Sequence, residues 1–302
     1  MRKFTAILLC VALMLLSGCT ATTTENNDKV IAVSFYPIYI FTLNLVEGID
    51  GIDVECMAEQ SGGCLHDYTI TAKDAKLIND CHVFIINGAG MESFVEDLYT
   101  TVDGLSLIDS SEGIELICSH QHQEEGHNHS HNHTENSHVW MSVENAMQQV
   151  ENICKGLIAA FPEYKTEITN NKTAYLQRLE RLRAEIQLTK KQTQGQSIVS
   201  FHDAYAYFSK DLGLNISATV ENDDGGEPSA KKLAELSDEI SENNIKALFI
   251  EPHYEGNAAD ILANETGAKI YVLNPVITGE KALSAYEDTM RENIKTILKA
   301  VK

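Results

Sequence analysis

YKTEITNNKTAYLQRLERLRAEIQLTKKQT, residues 164–193, contains neither glycine nor proline. Within it Ile168, Tyr175, Leu179, Leu182 and Ile186 recur at intervals of seven, four, three and four, an apolar stripe on an otherwise polar helix. At 1.5 Å per residue the stretch predicts a helix of roughly 45 Å, longer than is usual in a globular chain. The stripe lasts under three heptads, which argues against a coiled-coil dimer. The expected role is a strut inside one molecule.

Outward from the strut, both flanks alternate between short apolar runs and helical patterns. On the N-terminal side VIAVSF (30–35), DVECMA (53–58), HVFIIN (82–87) and IELIC (114–118) read as strands. Helices are expected over 38–48, 71–80, 91–99 and 142–161, with Thr71 and Asp74 at capping-box spacing. On the C-terminal side SIVSF (197–201), LNISATV (214–220), KALFIE (246–251) and KIYVL (269–273) are strand-like. Helices near 203–211, 229–243, 257–266 and 280–300 follow them. This alternation predicts an α/β protein of two lobes with parallel sheets, joined by one long rigid helix, with a cleft between the lobes. The expected division is an N-terminal lobe over 30–162, a linking helix over 163–194 and a C-terminal lobe over 195–302.

The chain begins MRKFTAILLCVALMLLSGC. Arg2 and Lys3 precede an apolar run, Phe4 to Leu16, that is short of the roughly 20 residues a membrane span needs. The pattern fits a signal peptide over 1–18, with an uncleaved membrane anchor as the alternative. Leu16-Ser17-Gly18-Cys19 resembles a bacterial lipobox, which implies Cys19 as the lipidated first residue of the mature protein and 19–29 as a polar tether. The expected location is outside the cytoplasm, lipid-anchored to the bacterial cell membrane. Composition narrows the partners: 44 acidic against 23 basic residues leave a net charge of −21, which repels nucleic acid and favours cations. Beyond Cys10 and Cys19 the cysteines are Cys56, Cys64, Cys81, Cys118 and Cys154, an odd number whose pairing cannot be deduced from spacing. No C-x-x-C is present, which argues against a structural zinc knuckle.

Ligands of open parallel sheets bind beyond the carboxyl ends of the strands. By that rule His66, His138 and His202 can converge on the cleft. His82 starts a strand and belongs at the opposite end, and His253 sits at the cleft edge. Three neutral imidazoles suit zinc, with a carboxylate or water completing the shell. Glu251, Asn274 and Glu280 are candidates for that fourth position, as is water. Before His138 the run HQHQEEGHNHSHNHTENS, residues 120–137, carries His120, His122, His127, His129, His131 and His133 with no hydrophobic pattern. It reads as an accessory arm that captures or senses metal weakly.

At these residues the chain resembles the metal-binding lipoproteins of zinc and manganese ABC importers, the cluster A-I (cluster 9) solute-binding proteins. The motifs are SFYPIY (34–39), HDYTITAKDAKLINDCHVFIINGAGMESF (66–94), HVWMS (138–142), SFHDAYAYF (200–208), EPSAKKLAEL (227–236) and ALFIEP (247–252). Their order spans about residues 30–300. The resemblance implies two lobes braced by a helix, metal held by His66, His138 and His202, and docking on an ABC permease and its ATPase. A histidine-rich segment implies the zinc type, with manganese, nickel or cobalt as alternatives. Asn136-Ser137 stands where the family usually has Asp-Pro, Val143 where it has proline, and Asn274 where many members have aspartate. The implied function is capture and delivery of Zn2+ by a monomer without turnover. The alternatives are a surface metal-storage or adhesin lipoprotein and, further off, a zinc hydrolase.

Overall fold

The computed structural model describes residues 29–58, 68–118, 135–220 and 227–302. Two parallel four-stranded sheets are present. The first contains β1 (Lys29–Val33), β2 (Ile52–Cys56), β3 (Val83–Ile86) and β4 (Ser106–Asp109), in the order β2-β1-β3-β4. The second contains β5 (Ser197–Ser200), β6 (Asn215–Thr219), β7 (Ala247–Ile250) and β8 (Lys269–Val272), in the equivalent order β6-β5-β7-β8. In each sheet the order reverses beside the first strand, β1 or β5. That switch point is where open α/β sheets hold ligands. The α/β expectation is met, with parallel pairing throughout both sheets.

The helices in chain order are α1 (Tyr36–Val46), α2 (Ala72–Asp80), α3 (Glu96–Tyr99), α4 (Val143–Ala160), α5 (Lys165–Thr193), α6 (Ala206–Leu212), α7 (Ala230–Glu242), α8 (Ala258–Thr266) and α9 (Ala285–Ala300). Local chemistry accounts for several of their starts. Thr71 and Asp74 form the expected capping box at α2, the Thr71 hydroxyl accepting from Asp74 N and the Asp74 carboxylate accepting from Thr71 N. Ser142 and Ser229 cap α4 and α7 by accepting main-chain N–H groups three residues on.

Two expectations differ from the structure. IELIC (114–118) is not a sheet strand: Cys118 makes an isolated antiparallel bridge with Glu135, and Asn136 N donates to Ile117 O (2.8 Å). The segment pairs with the returning stem after residue 134 instead of with the sheet. The fourth strand is β4, SLID, short and with only Ile108 buried, so its period was too weak to read. The helix expected over 91–99 is shortened to a 3₁₀ turn, Ser93–Val95, followed by α3. Its first acidic residue, Glu92, folds back to accept main-chain N–H groups of Asn87 and Gly88.

The strut is α5, 29 residues long, and its five apolar stripe positions, Ile168, Tyr175, Leu179, Leu182 and Ile186, are buried together with Thr189 and Thr193. It packs against α4, α1, α9 and α6. One apolar cluster runs from Ile31 and Val33 in β1 through Leu179 and Leu182 in α5 to Ile198 in β5 and Met290 in α9. Smaller clusters cover the outer faces of each sheet. Arg178 on α5 ties the halves by donating to Glu287 Oε1 of α9 (2.8 Å) and Leu283 O (3.0 Å), and it also bonds Asn44 Oδ1 of α1. Among the described residues Cys81, Cys118 and Cys154 are free thiols, and Cys64 lies outside them. No helix among the described residues is long and apolar enough to cross a membrane.

Candidate metal centre

His202 follows β5 with extended backbone (φ −132°, ψ 151°), and the chain then turns at once into a 3₁₀ helix, Asp203–Tyr205. His138 ends the stem that returns to α4 and opens a 3₁₀ turn, Val139–Met141. The two imidazoles meet nearly edge to face, with ring centroids 5.0 Å apart and Nε2 atoms 3.2 Å apart. Asp203 Oδ1 lies 3.5 Å from His138 Nδ1 and 3.8 Å from His202 Nε2. His138, His202 and Asp203 together form a group able to hold a metal ion. His138 is buried, while His202 and Asp203 stay partly open.

His138 is held from two directions. Its neighbour Trp140 is fully buried, donates Nε1 to Pro275 O (2.8 Å), and accepts the Tyr286 hydroxyl on its own carbonyl (2.7 Å). On the other side Asn87 Nδ2 donates to Ser137 O (3.0 Å), and Gln149 Nε2 donates to Asn87 Oδ1 (3.0 Å). Gly88 has a positive φ (+80°), and a Cβ there would overlap the side chains of Asp109 and Ser111, so only glycine fits.

Glu92 lies beneath this network, fully buried, with Oε1 accepting Asn87 N (2.7 Å) and Oε2 accepting Gly88 N (3.0 Å). Burial, aided by the nearby Asp109 charge and opposed by those N–H donors, raises its pKa to about 7 from an ordinary 4.5. A folded-state pKa above the unfolded one means the folded protein holds its proton longer. The contribution is therefore full below about pH 4.5 and lost as pH rises through about 7, by about 3 kcal/mol in all. Urea midpoints across pH 4.5–8 should show that decline in the native chain and a flatter profile in Glu92→Gln. Parallel profiles would mean Glu92 is not the titrating group.

Of the expected site residues, the structure brings His138 and His202 together. His66 lies outside the described residues, as do His120, His122, His127, His129, His131, His133 and Cys19. His82 is exposed at the far end of the first sheet, where its Nδ1 accepts Val30 N (3.2 Å). That acceptor role places the neutral ring's proton on Nε2 and removes it as a ligand atom. His253 is exposed and outside the group. The fourth-ligand candidates do not join it either. Asn274 Oδ1 is taken by Val276 N (2.8 Å), Glu280 is exposed, and Glu251 is not part of the group. Asp203, adjacent to His202 in SFHDAYAYF, is the carboxylate that lies with the two imidazoles. Consecutive residues of an extended chain face opposite ways; the 3₁₀ turn after His202 is what brings the carboxylate back to the histidine side.

Twin parallel sheets of like strand order, a long bracing helix and imidazoles converging at strand ends define a two-lobed, metal-binding solute-binding protein. Comparison with known proteins bears this out: the family model of the zinc-uptake complex component A, periplasmic (ZnuA), matches residues 31–300. The chain belongs to the ZnuA family. It is 31% identical over 295 residues to the zinc-binding protein AdcA of Streptococcus pyogenes serotype M3, covering 90% of this chain and 56% of that protein. It is 30% identical over 314 residues to the high-affinity zinc uptake system protein ZnuA of Bacillus subtilis, covering 98% of this chain and 97% of that one. The structure of Zn(II)-bound AdcA from Streptococcus pneumoniae superposes with a TM-score of 0.75 at 29% identity, over 91% of this chain and 58% of that chain. The chain thus spans little more than half the length of the streptococcal relatives.

Proposed function

We propose that the protein captures Zn2+ in the cleft and hands it to a membrane permease of an ABC importer, without chemical turnover. His66 and His138 from the first lobe and His202 from the second supply the imidazoles, and Asp203 supplies the carboxylate. The observation that carries this reading is the approach of His138 and His202, 64 residues apart in sequence, to an Nε2–Nε2 separation of 3.2 Å. Two imidazole lone pairs with a carboxylate make a nitrogen-rich site suited to zinc. Membership of an uptake-component family stands against the hydrolase alternative. The leader over 1–18, the lipid on Cys19 and the tether over 19–29 fit delivery at the outer face of the membrane, with the protein acting as a monomer. The lobes 30–162 and 195–302 and the linking helix 163–194 are the working parts.

The histidines from His120 to His133 serve as an accessory arm. The stem supplies a clean test, because Cys118 and Glu135 already pair antiparallel. Residues 119–134 can be replaced by Asn-Gly, the turn favoured between antiparallel partners. Zinc titration against a chromophoric chelator should leave one tight site in the shortened protein and remove only weak binding. Loss of the tight site with the loop would instead make the histidine tract the receptor, and the storage or adhesin reading would replace the importer one.

A further inference from the structure

Asn136 stands where the stem of the histidine-rich segment enters the metal centre, and it is 1% exposed. Its N–H donates to Ile117 O (2.8 Å), and its carbonyl accepts the Tyr207 hydroxyl (2.7 Å), which itself accepts Ile117 N (3.2 Å). The side chain is as fully used. Oδ1 accepts the main-chain N–H of His138 (2.9 Å) and lies 3.1 Å from His138 Nδ1. Nδ2 donates to the main-chain carbonyl of Asp203 (3.0 Å) and to Asp203 Oδ2 (3.2 Å).

These partners determine which way the amide points. A main-chain N–H can only donate, so the atom facing His138 N is the amide oxygen. A main-chain carbonyl can only accept, so the atom facing Asp203 O is the amide nitrogen. An amide oxygen cannot donate, so the ring nitrogen beside it, Nδ1, carries the hydrogen. A neutral imidazole has one N–H, which leaves the lone pair on Nε2. Nε2 is the atom that faces His202 Nε2 across 3.2 Å. Through its other end the same amide holds Asp203 Oδ2, while Asp203 Oδ1 is the oxygen 3.5 Å from His138 Nδ1 and 3.8 Å from His202 Nε2.

We infer that Asn136 is the positioning residue of the metal centre, one amide that selects the Nδ1–H tautomer of His138 and orients the Asp203 carboxylate across the lobe boundary. The inference rests on the reading of His138 and His202 as zinc ligands. An aspartate at 136 would accept from His138 equally well but could not donate to Asp203. The oxygen therefore serves the histidine, and the nitrogen joins the lobes. Groups outside the first coordination shell that orient a ligating histidine are typically worth about 10–100-fold in metal affinity.

Long-range proton–nitrogen correlation spectra of the histidine-labelled chain, with and without zinc, read the tautomer directly, and chelator competition reads affinity. Native protein should show a protonated Nδ1 and a bare Nε2 at His138, with zinc shifting Nε2. Asn136→Ala should give mixed tautomers and a loss of affinity of about 10–100-fold. Asn136→Asp should restore the single tautomer. A native spectrum with the hydrogen on Nε2 overturns the inference without any variant, so misfolding of Asn136→Ala leaves the test intact. An unchanged tautomer in a folded Asn136→Ala whose zinc affinity stays within about threefold of native also overturns it, while leaving the zinc site standing. Absence of any zinc-dependent shift at His138 in native protein defeats the zinc reading itself.

Discussion

His202→Ala should lower zinc affinity by more than about 100-fold, beyond the about 10–100-fold typical of outer partners of a metal ligand. His202 is the imidazole contributed by the second sheet, and its Nε2 is 3.2 Å from that of His138. Without it the described part of the site keeps one imidazole and the Asp203 carboxylate, and a zinc site needs at least three protein ligands to hold the ion tightly. The backbone at 202 is ordinary extended chain, which alanine adopts without strain. Loss of binding should therefore come with an unchanged circular-dichroism spectrum and melting temperature in zinc-free buffer. Chelator competition on the two proteins side by side is the measurement. Affinity within about threefold of native, which is under 1 kcal/mol, would put the tight site elsewhere in the chain.

Arg178→Ala should destabilise the fold by about 3 kcal/mol, the lower end of the 3–5 found for breaking a buried ion pair. Glu287 is 2% exposed and its Oε2 has no hydrogen-bond partner, so Arg178 is the cation that neutralises it. The lower end applies because the arginine side chain itself keeps 30% of its surface open to water. For a chain of this size the change corresponds to a fall in Tm of about 5 °C. Arg178→Lys should recover little, since one ammonium cannot reach Glu287, Asn44 and Leu283 O together as the guanidinium does. Adding Glu287→Gln to Arg178→Ala should return part of the loss by removing the stranded charge. A double variant as unstable as the sum of its parts would assign the effect to stacking of the guanidinium over the Tyr175 ring instead.

What the sequence makes legible is whatever depends on short-range pattern. The α5 stripe at 3.6-residue period and the capping box at Thr71 and Asp74 are encoded within a turn or two of helix. The strand-end rule selected His138 and His202 because parallel α/β topology leaves little choice about where loops converge. β4 escaped because four residues with a single buried side chain, Ile108, give no alternation to detect. IELIC looked like a strand because an extended stem and a sheet strand have the same local pattern; only the pairing partner, Glu135, distinguishes them. Asp203 was in plain view beside His202, yet its use depends on a 3₁₀ turn. Asn136 registered only as a departure from a motif. Its partner Asp203 is 67 residues away, and no local pattern reports such a contact.

The apolar cluster that passes from β1 through α5 to β5 and α9 means that the lobes are halves by topology and not by stability. The stripe of α5 is covered from both directions along the chain, by α1 and α4 before it and by Tyr286 and Met290 of α9 after it. Domains that fold one after another during synthesis each need a core of their own. Here one core takes residues from both lobes, so neither lobe has a complete core of its own and the two set as one piece.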